Sequence, residues 1–209
     1  IPHSWISQKA DITDLDGWRR EIRANQKDET APLTLTTLLC KVMGAALLEH
    51  PRFNSGIDMS THTIVYRDYI NVAIAVDAGR ALYVPVIKDV NTLNLTEVAT
   101  ELNRITMAAR ANRIAGTDLR GAGITITNLG GIGVSAMQPI INPPEVAILG
   151  VSTAEKCLVG SSNSLETRLY LPMTLGFDHR VINGAEAAYF LNFICDSLSK
   201  SKNTFGPSP

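Results

Sequence analysis

Apolar positions recur along the chain at two spacings, and the spacing separates helices from strands. Leu15, Trp18 and Ile22 fall at helical intervals after Asp11-Ile12-Thr13-Asp14, where Asp11 or Thr13 can cap and acidic residues crowd the first turn. The opposite face of this helix is basic. Residues 33–50 are apolar on nearly every side and Pro51 follows, the pattern of a helix packed centrally in a core. Residues 63–66 and 70–76 are β-branched and partly alternating, and 82–87 follows the turn-forming Ala78-Gly79, predicting strands and a hairpin. A second amphipathic helix is predicted over 95–113, its apolar side (Leu95, Val98, Ala99, Leu102, Ile105, Met107) covering one face of a sheet. Short strands are expected at 124–127, stopped by Asn128-Leu129-Gly130-Gly131, at 145–151 after Asn142-Pro143-Pro144, and at 168–177. Ala187, Phe190, Leu191, Ile194 and Leu198 mark a last helix over 184–199. Helices and strands do not alternate strictly, so the pattern predicts an α+β fold with a mixed sheet and not a doubly wound one.

Composition narrows the classes. With 209 residues, 45% hydrophobic and 19% charged, the chain suits one domain spanning 1–209, with a frayed tail from Asn203 to Pro209. A net charge of -1 gives no global attraction to nucleic acid or anionic membrane. No apolar run approaches the roughly 20 residues of a membrane span. Cys40, Cys157 and Cys195 form no CxxC pair, which argues against a disulfide framework or a zinc site and for a reducing compartment. His3, His50 and His62 lack acidic or Cys neighbours at metal spacing, so no metal is expected. Gly130-Gly131-Ile132-Gly133 invites a phosphate-loop reading but lacks the spacing and the lysine that loop needs. The chain opens at Ile1 without a methionine or a targeting segment and reads as a fragment of something longer.

Asp178-His179-Arg180-Val181-Ile182-Asn183-Gly184 joins the last strand to the last helix, where a rigid scaffold commonly presents functional side chains. A neutral imidazole, with an ordinary pKa of about 6.5, can take a proton from a thiol of about 8.5, and the thiolate is the nucleophile. His179 is therefore the leading catalytic candidate; the alternative is a histidine that only packs and hydrogen-bonds at a strand end.

The same seven residues, followed by Ala-Glu-Ala-Ala, resemble the DHRxxDG signature of the catalytic domain of dihydrolipoamide acyltransferases, the core enzymes of 2-oxo acid dehydrogenase complexes. Further segments match in the same order: Pro2-His3 with Ala10-Asp11-Ile12-Thr13, Pro51-Arg52-Phe53-Asn54-Ser55, and Thr125-Ile126-Thr127-Asn128-Leu129-Gly130. Ile141 to Gly150, reading INPPEVAILG, is similar to the acetyl-transferring branch in particular. The resemblance covers nearly the whole chain, although the family's N-terminal arm before the Pro-His pair is missing. Asn183 stands where most members have Asp and Thr127 where many have Ser.

The resemblance implies a chloramphenicol-acetyltransferase-like two-layer sandwich, an obligate homotrimer, and an active site in a channel between subunits, where His179 of one subunit and Thr127 of the next meet around the reacting sulfur. Coenzyme A and lipoyl-lysine, the latter carried on a separate domain, would enter from opposite ends. His179 is then the general base, Thr127 the hydroxyl donor to the oxyanion, and Asn183 a residue that holds the His179 turn but cannot supply a negative charge; the alternative is that Asn183-Gly184 only turns the chain into the helix. Coenzyme A phosphates need cations, which Arg19 and Arg23, four apart on one helix face, are in place to supply unless that face is merely solvated. Asn54 and Ser55 match a segment lining the cofactor channel, and Val84 and Pro85 a strand along the pantetheine arm. Lipoyl domains and other subunits of the complex are the implied partners, and a bacterial cytoplasm or mitochondrial matrix the implied compartment. Family shells rely on a hydrophobic C-terminal anchor, whereas 200–209 is polar apart from Phe205. A free-standing acetyltransferase acting on a small hydroxyl substrate and a non-catalytic core paralogue are the alternatives.

Overall fold

The computed structural model describes residues 1–26, 31–161 and 164–200. In chain order its elements are β1 (His3–Asp11), α1 (Thr13–Asn25), α2 (Leu35–Glu49), β2 (Ser55–Asp58), β3 (Thr63–Tyr66), β4 (Val72–Ile74), β5 (Val76–Asp77), β6 (Leu82–Tyr83), β7 (Val86–Ile87), α3 (Leu95–Arg110), β8 (Ile124–Asn128), β9 (Ala147–Val151), β10 (Glu155–Ser161), β11 (Ser164–Asp178) and α4 (Gly184–Ser199). The main sheet runs β1-β11-β9-β8-β4-β7, with β10 pairing the first half of β11. β8 is parallel to both β4 and β9 while every other pairing in the sheet is antiparallel, so the sheet is mixed. The hairpins β2-β3 and β5-β6 stand apart as two-stranded sheets.

The helices form the second layer. α2, the apolar helix expected at the centre, touches α3, α4 and β4, while α4 lies along β1 and also meets α1. Leu171, Met173, Leu175 and Phe177 alternate along β11 and enter one core with Leu38, Phe53 and Phe190. The other face of the sheet is crossed closely by the chain around Met137 and Pro139, whose carbonyl accepts from Trp5 Nε1 at 2.9 Å. This crossing explains Gly150 and Gly176: a Cβ on Gly150 would stand 2.7 Å from Met137 Sδ, and one on Gly176 3.1 Å from Trp5 Nε1.

The helices agree with their expected positions, whereas several strands differ for identifiable reasons. The 70–76 strand divides into β4 and β5 at Ala75, whose N–H donates to Ile126 O at 2.9 Å. The 82–87 strand breaks at Val84-Pro85, because proline has no N–H for the ladder; its carbonyl takes Ile74 N–H at 2.9 Å. Residues 63–66 pair with β2, not with the stretch that follows them. β1, β2 and β10 lie where the sequence pattern predicts no strand. α3 ends at Arg110, short of 113, where Asn112 turns the chain with φ 53°. The α1 N-cap is Ile12; Asp11 Oδ1 instead accepts from Thr13 N (3.0 Å) and Thr13 Oγ1 (2.6 Å), and Thr13 Oγ1 accepts from Leu169 N at 2.8 Å. The expected fraying at 203–209 lies outside the described residues.

Candidate active site

β11 ends at Asp178, and this carboxylate builds the turn that follows. Its two oxygens receive Arg180 Nε (3.0 Å), Arg180 Nη2 (2.6 Å) and Arg180 N (3.1 Å), and its carbonyl takes the N–H groups of Val181 and Ile182 at 3.0 Å each. Asp178 is only 2% exposed. Burial pushes against its charge, but the Arg180 side chain and backbone N–H overcome this and hold the carboxyl below its usual range. Val181 and Ile182 are buried and anchor the turn, leaving His179 exposed beyond the sheet with its N–H donated to Pro2 O at 3.0 Å. The imidazole lies 5.6 Å from the Phe177 ring, tilted by 41°.

Asn183 closes the turn as the N-cap of α4. Its Oδ1 accepts from Glu186 N at 2.9 Å and its N–H donates to Glu186 Oε2 at 3.1 Å, a reciprocal capping box. Glu186 Oε1 in turn meets Arg52 Nη1 at 3.2 Å, tying the cap to the segment before β2. The turn-forming alternative for Asn183 is thus present in the fold, and it positions the same loop that presents His179.

Thr127 lies elsewhere. It sits half-buried near the end of β8 and lines a cleft of about 580 Å³ together with Thr36, Val76, Leu82, Asn128 and Arg110. Asn128 Nδ2 donates to Thr36 Oγ1 at 3.1 Å, closing the cleft on the α2 side. The sheet register measures how far this cleft is from His179. Thr127 is opposite Gly150, Gly150 is opposite Thr174, and His179 is five residues beyond Thr174 along β11. At about 3.3 Å per residue and about 4.8 Å per strand, the two Cα atoms are roughly 19 Å apart. One chain does not bring Thr127 and His179 together.

The expected cofactor residues divide. Arg19 is committed to Asp16, with Nε at 3.1 Å and Nη2 at 2.5 Å from Oδ1, and Arg20 Nε holds the second carboxylate oxygen at 2.8 Å. Arg23 is exposed one turn further along α1 and has no side-chain partner among the described residues. Asn54 and Ser55 differ from the expectation of channel-lining residues, being 1% and 0% exposed. Asn54 Nδ2 donates to the carbonyls of Arg67 (3.2 Å) and Tyr69 (2.7 Å) while its Oδ1 is buried without a partner, and Ser55 Oγ donates to Arg52 O at 2.7 Å. They hold the β2-β3 region together within the chain. Val84 is half-buried in the break between β6 and β7, and Pro85 is buried beside it. Cys40 and Cys195 are poor nucleophiles, since burial pushes both thiols up to about 12.

Glu145 was given no role from sequence. It is 3% exposed, with Oε1 accepting from Thr125 Oγ1 (2.9 Å) and Asn142 Nδ2 (3.2 Å) and Oε2 buried without a partner. Burial raises its carboxyl to about 7 against the pull of Thr125, Asn142 and Arg67. The available signal was a lone acid inside the apolar run that follows Pro143-Pro144.

Comparison with known proteins is consistent with this arrangement. The family model of the 2-oxoacid dehydrogenases acyltransferase catalytic domain matches residues 1–205. The dihydrolipoyllysine-residue acetyltransferase component of the pyruvate dehydrogenase complex of Haemophilus influenzae is 40% identical over 201 residues, which cover 95% of this chain and 35% of that protein. The corresponding component from Buchnera aphidicola is covered to 51%, so the chain spans about a third to a half of the length of these relatives. The dihydrolipoamide acetyltransferase of Azotobacter vinelandii superimposes with a TM-score of 0.93 at 37% identity, covering 99% of this chain and 85% of that one. Its crystallographic and enzymatic investigation concerns a serine, a histidine and an asparagine in the catalytic mechanism, the serine 52 positions before the histidine and the asparagine four after it. The cubic core of a pyruvate dehydrogenase multienzyme complex matches with the same TM-score of 0.93 at 38% identity, over 99% of this chain and 85% of that one. Chloramphenicol acetyltransferase, at 14% identity and TM-score 0.63, shares the fold. The chain belongs to the acyltransferase catalytic-domain family of the 2-oxoacid dehydrogenases.

Proposed function

We propose that the chain transfers an acyl group, acetyl by its resemblance to acetyltransferase components, between dihydrolipoamide and coenzyme A. One observation carries the reading: Thr127, His179 and Asn183 are separated by 52 and four positions, the same intervals as the serine, histidine and asparagine of the Azotobacter enzyme. His179, exposed on a turn braced by Asp178 and Arg180, takes the proton of the coenzyme A thiol. The sulfur attacks the carbonyl carbon of the acyl-dihydrolipoamide thioester, and the oxygen that becomes negative receives a hydrogen bond from the Thr127 hydroxyl. The intermediate collapses with cleavage of the carbon–sulfur bond to dihydrolipoamide, whose sulfur recovers the proton from the His179 imidazolium. Asn183 keeps the turn in place through its cap. Arg23, and Arg19 if it can share Asp16, meet the phosphates of coenzyme A.

Because Thr127 and His179 are roughly 19 Å apart in one chain, their joint action requires that each active site take His179 from one copy and Thr127 from a neighbour. A cyclic homotrimer supplies three such sites. The exposed apolar residues Ile64, Val65 and Tyr66 of β3 are surface that a neighbouring copy could cover. Larger assembly and the lipoyl domains and other subunits of a dehydrogenase complex are the partners this reading implies.

The test is acyl transfer from acetyl coenzyme A to free dihydrolipoamide by the purified chain, followed by chromatographic separation of free coenzyme A from acetyl coenzyme A. Turnover is expected, and His179→Ala should lower it on the order of a hundredfold while leaving the assembly intact, the usual contribution of a general base. Absence of transfer in the native chain, or near-normal turnover in a folded His179→Ala variant, would overturn the reading.

A further inference from the structure

Among the described residues three carboxylates are buried, and two have cations in contact: Asp16 with Arg19 and Arg20, and Asp178 with Arg180. Glu145 has none. The guanidinium of Arg67, whose charge favours the ionised carboxyl, donates to the carbonyls of Ser55 and Pro144. A buried carboxylate with one oxygen lacking any partner is costly when ionised, yet this one stands at a junction of the strands that carry both reacting residues.

On one side, Glu145 Oε1 receives the hydroxyl of Thr125, which is two residues before Thr127 on β8 and projects from the same face of the strand. On the other, the same oxygen receives Asn142 Nδ2, in the loop whose Ile141 N–H donates to His3 Nε2 at 3.0 Å. The residue after Glu145 provides the carbonyl of Val146 to Asp178 N at 2.8 Å, directly before His179, and Pro2, next to His3, takes His179 N. A single side chain thus joins the strand of Thr127 to the backbone around His179.

We infer that Glu145 is a positioning residue for the acyl transfer: its carboxyl clamps β8 to the loop at the exit of β11, and so sets the aim of Thr127 at one active site and of His179 at another. This assignment rests on the reading of His179 and Thr127 as the reacting pair. Among the groups facing the carboxyl, Thr125 of β8 and Asn142 of the loop are neutral, and Arg67, from the segment between β3 and β4, favours the ionised form. Desolvation outweighs them and keeps the carboxyl protonated up to about 7. Above that pH the charge appears where Oε2 has no donor, and the loop must shift or admit water to solvate it. The clamp loosens as the pH rises.

The test measures kcat and both Michaelis constants across pH for the native chain, Glu145→Ala, Glu145→Gln and Thr125→Val. Glutamine keeps the acceptor and the shape without being able to ionise. The expected result is a kcat about tenfold lower in Glu145→Ala with both Michaelis constants within about twofold. Glu145→Gln should recover most of that turnover and lack the alkaline decline near pH 7 expected of the native chain. Thr125→Val, which removes only the donor, should lower kcat in the same way and serves if Glu145→Ala does not fold. Glu145→Gln as impaired as Glu145→Ala, or a native alkaline limb that survives in Glu145→Gln, would overturn the inference. His179→Ala, run beside them, separates the two readings: if it retains turnover the reacting pair is wrong, and if it alone loses turnover only the role of Glu145 is wrong.

Discussion

Thr127 has a hydroxyl on a β-branched carbon, so its χ1 is confined to few rotamers and the strand β8 decides where that hydroxyl points. If it donates only to the developing oxyanion, its removal should lower kcat and leave substrate binding unchanged, because the ground-state carbonyl does not yet carry the charge. Thr127→Val, which keeps the shape, should cost roughly 3 kcal/mol in activation free energy. Thr127→Ser should keep much of the activity, losing only the rotamer restraint. A residue serving merely as a strand former would reverse the order, with Val tolerated and Ser disturbing; steady-state kinetics on the two variants, with folding checked by circular dichroism, decides. His179 and Thr127 could be proposed from sequence because each sits in a motif whose order along the chain is itself a signal. Asn54 and Ser55 sit in such a motif as well, yet their short polar side chains turn inward to backbone carbonyls, an orientation that sequence does not encode. The importance of Glu145 depends on an unpartnered oxygen and on which strands converge around it, both properties of the folded chain.

At the scale of elements, helices were read well because each carries its stripe and its stops within itself. α4 runs over the expected Gly184–Ser199. The strands depend on partners distant in sequence. β1 pairs Asp178 back to Tyr170 across more than 150 residues, and its run of Ser, Gln and Lys between Trp5 and Ala10 gives little alternation to read. β10 places Leu158 in solvent, so its apolar content does not mark a buried face. The join between the last strand and the last helix is where element and chemistry meet. Asn183 caps α4 through Glu186 and in doing so fixes the far end of the His179 turn. Asn183→Ala should cost about 1 kcal/mol of stability, the usual loss on removing such a cap, and should lower turnover. Asn183→Asp, a cap of equal quality that places a negative charge at the helix N-terminus, should hold stability within about 0.5 kcal/mol. Chemical denaturation of the two variants measures both values, and equal stability of Asn183→Ala and the native chain would show that the cap contributes little.

For the whole molecule, an α+β fold with a mixed sheet followed from the absence of strict alternation and the two-layer sandwich from the family resemblance, while the strand order β1-β11-β9-β8-β4-β7 required the structure. That order sets the main functional constraint. With two strand widths and five residues between Thr127 and His179, a single copy offers each half of the proposed chemistry at a different place on its surface. Periodicity and spacing do not convey this separation, since Thr127 lies in a strand and His179 just after one; only the family resemblance, with its site between subunits, implies it. The most direct measurement is complementation between two inactive variants, co-expressed in equal amounts. A His179→Ala subunit still supplies Thr127, and a Thr127→Val subunit still supplies His179. If each site takes one residue from each of two neighbours in a cyclic trimer, every mixed trimer contains one intact site, and random mixing should restore about a quarter of native turnover. Activity no higher than that of the two variants assayed separately would contradict an active site shared between copies.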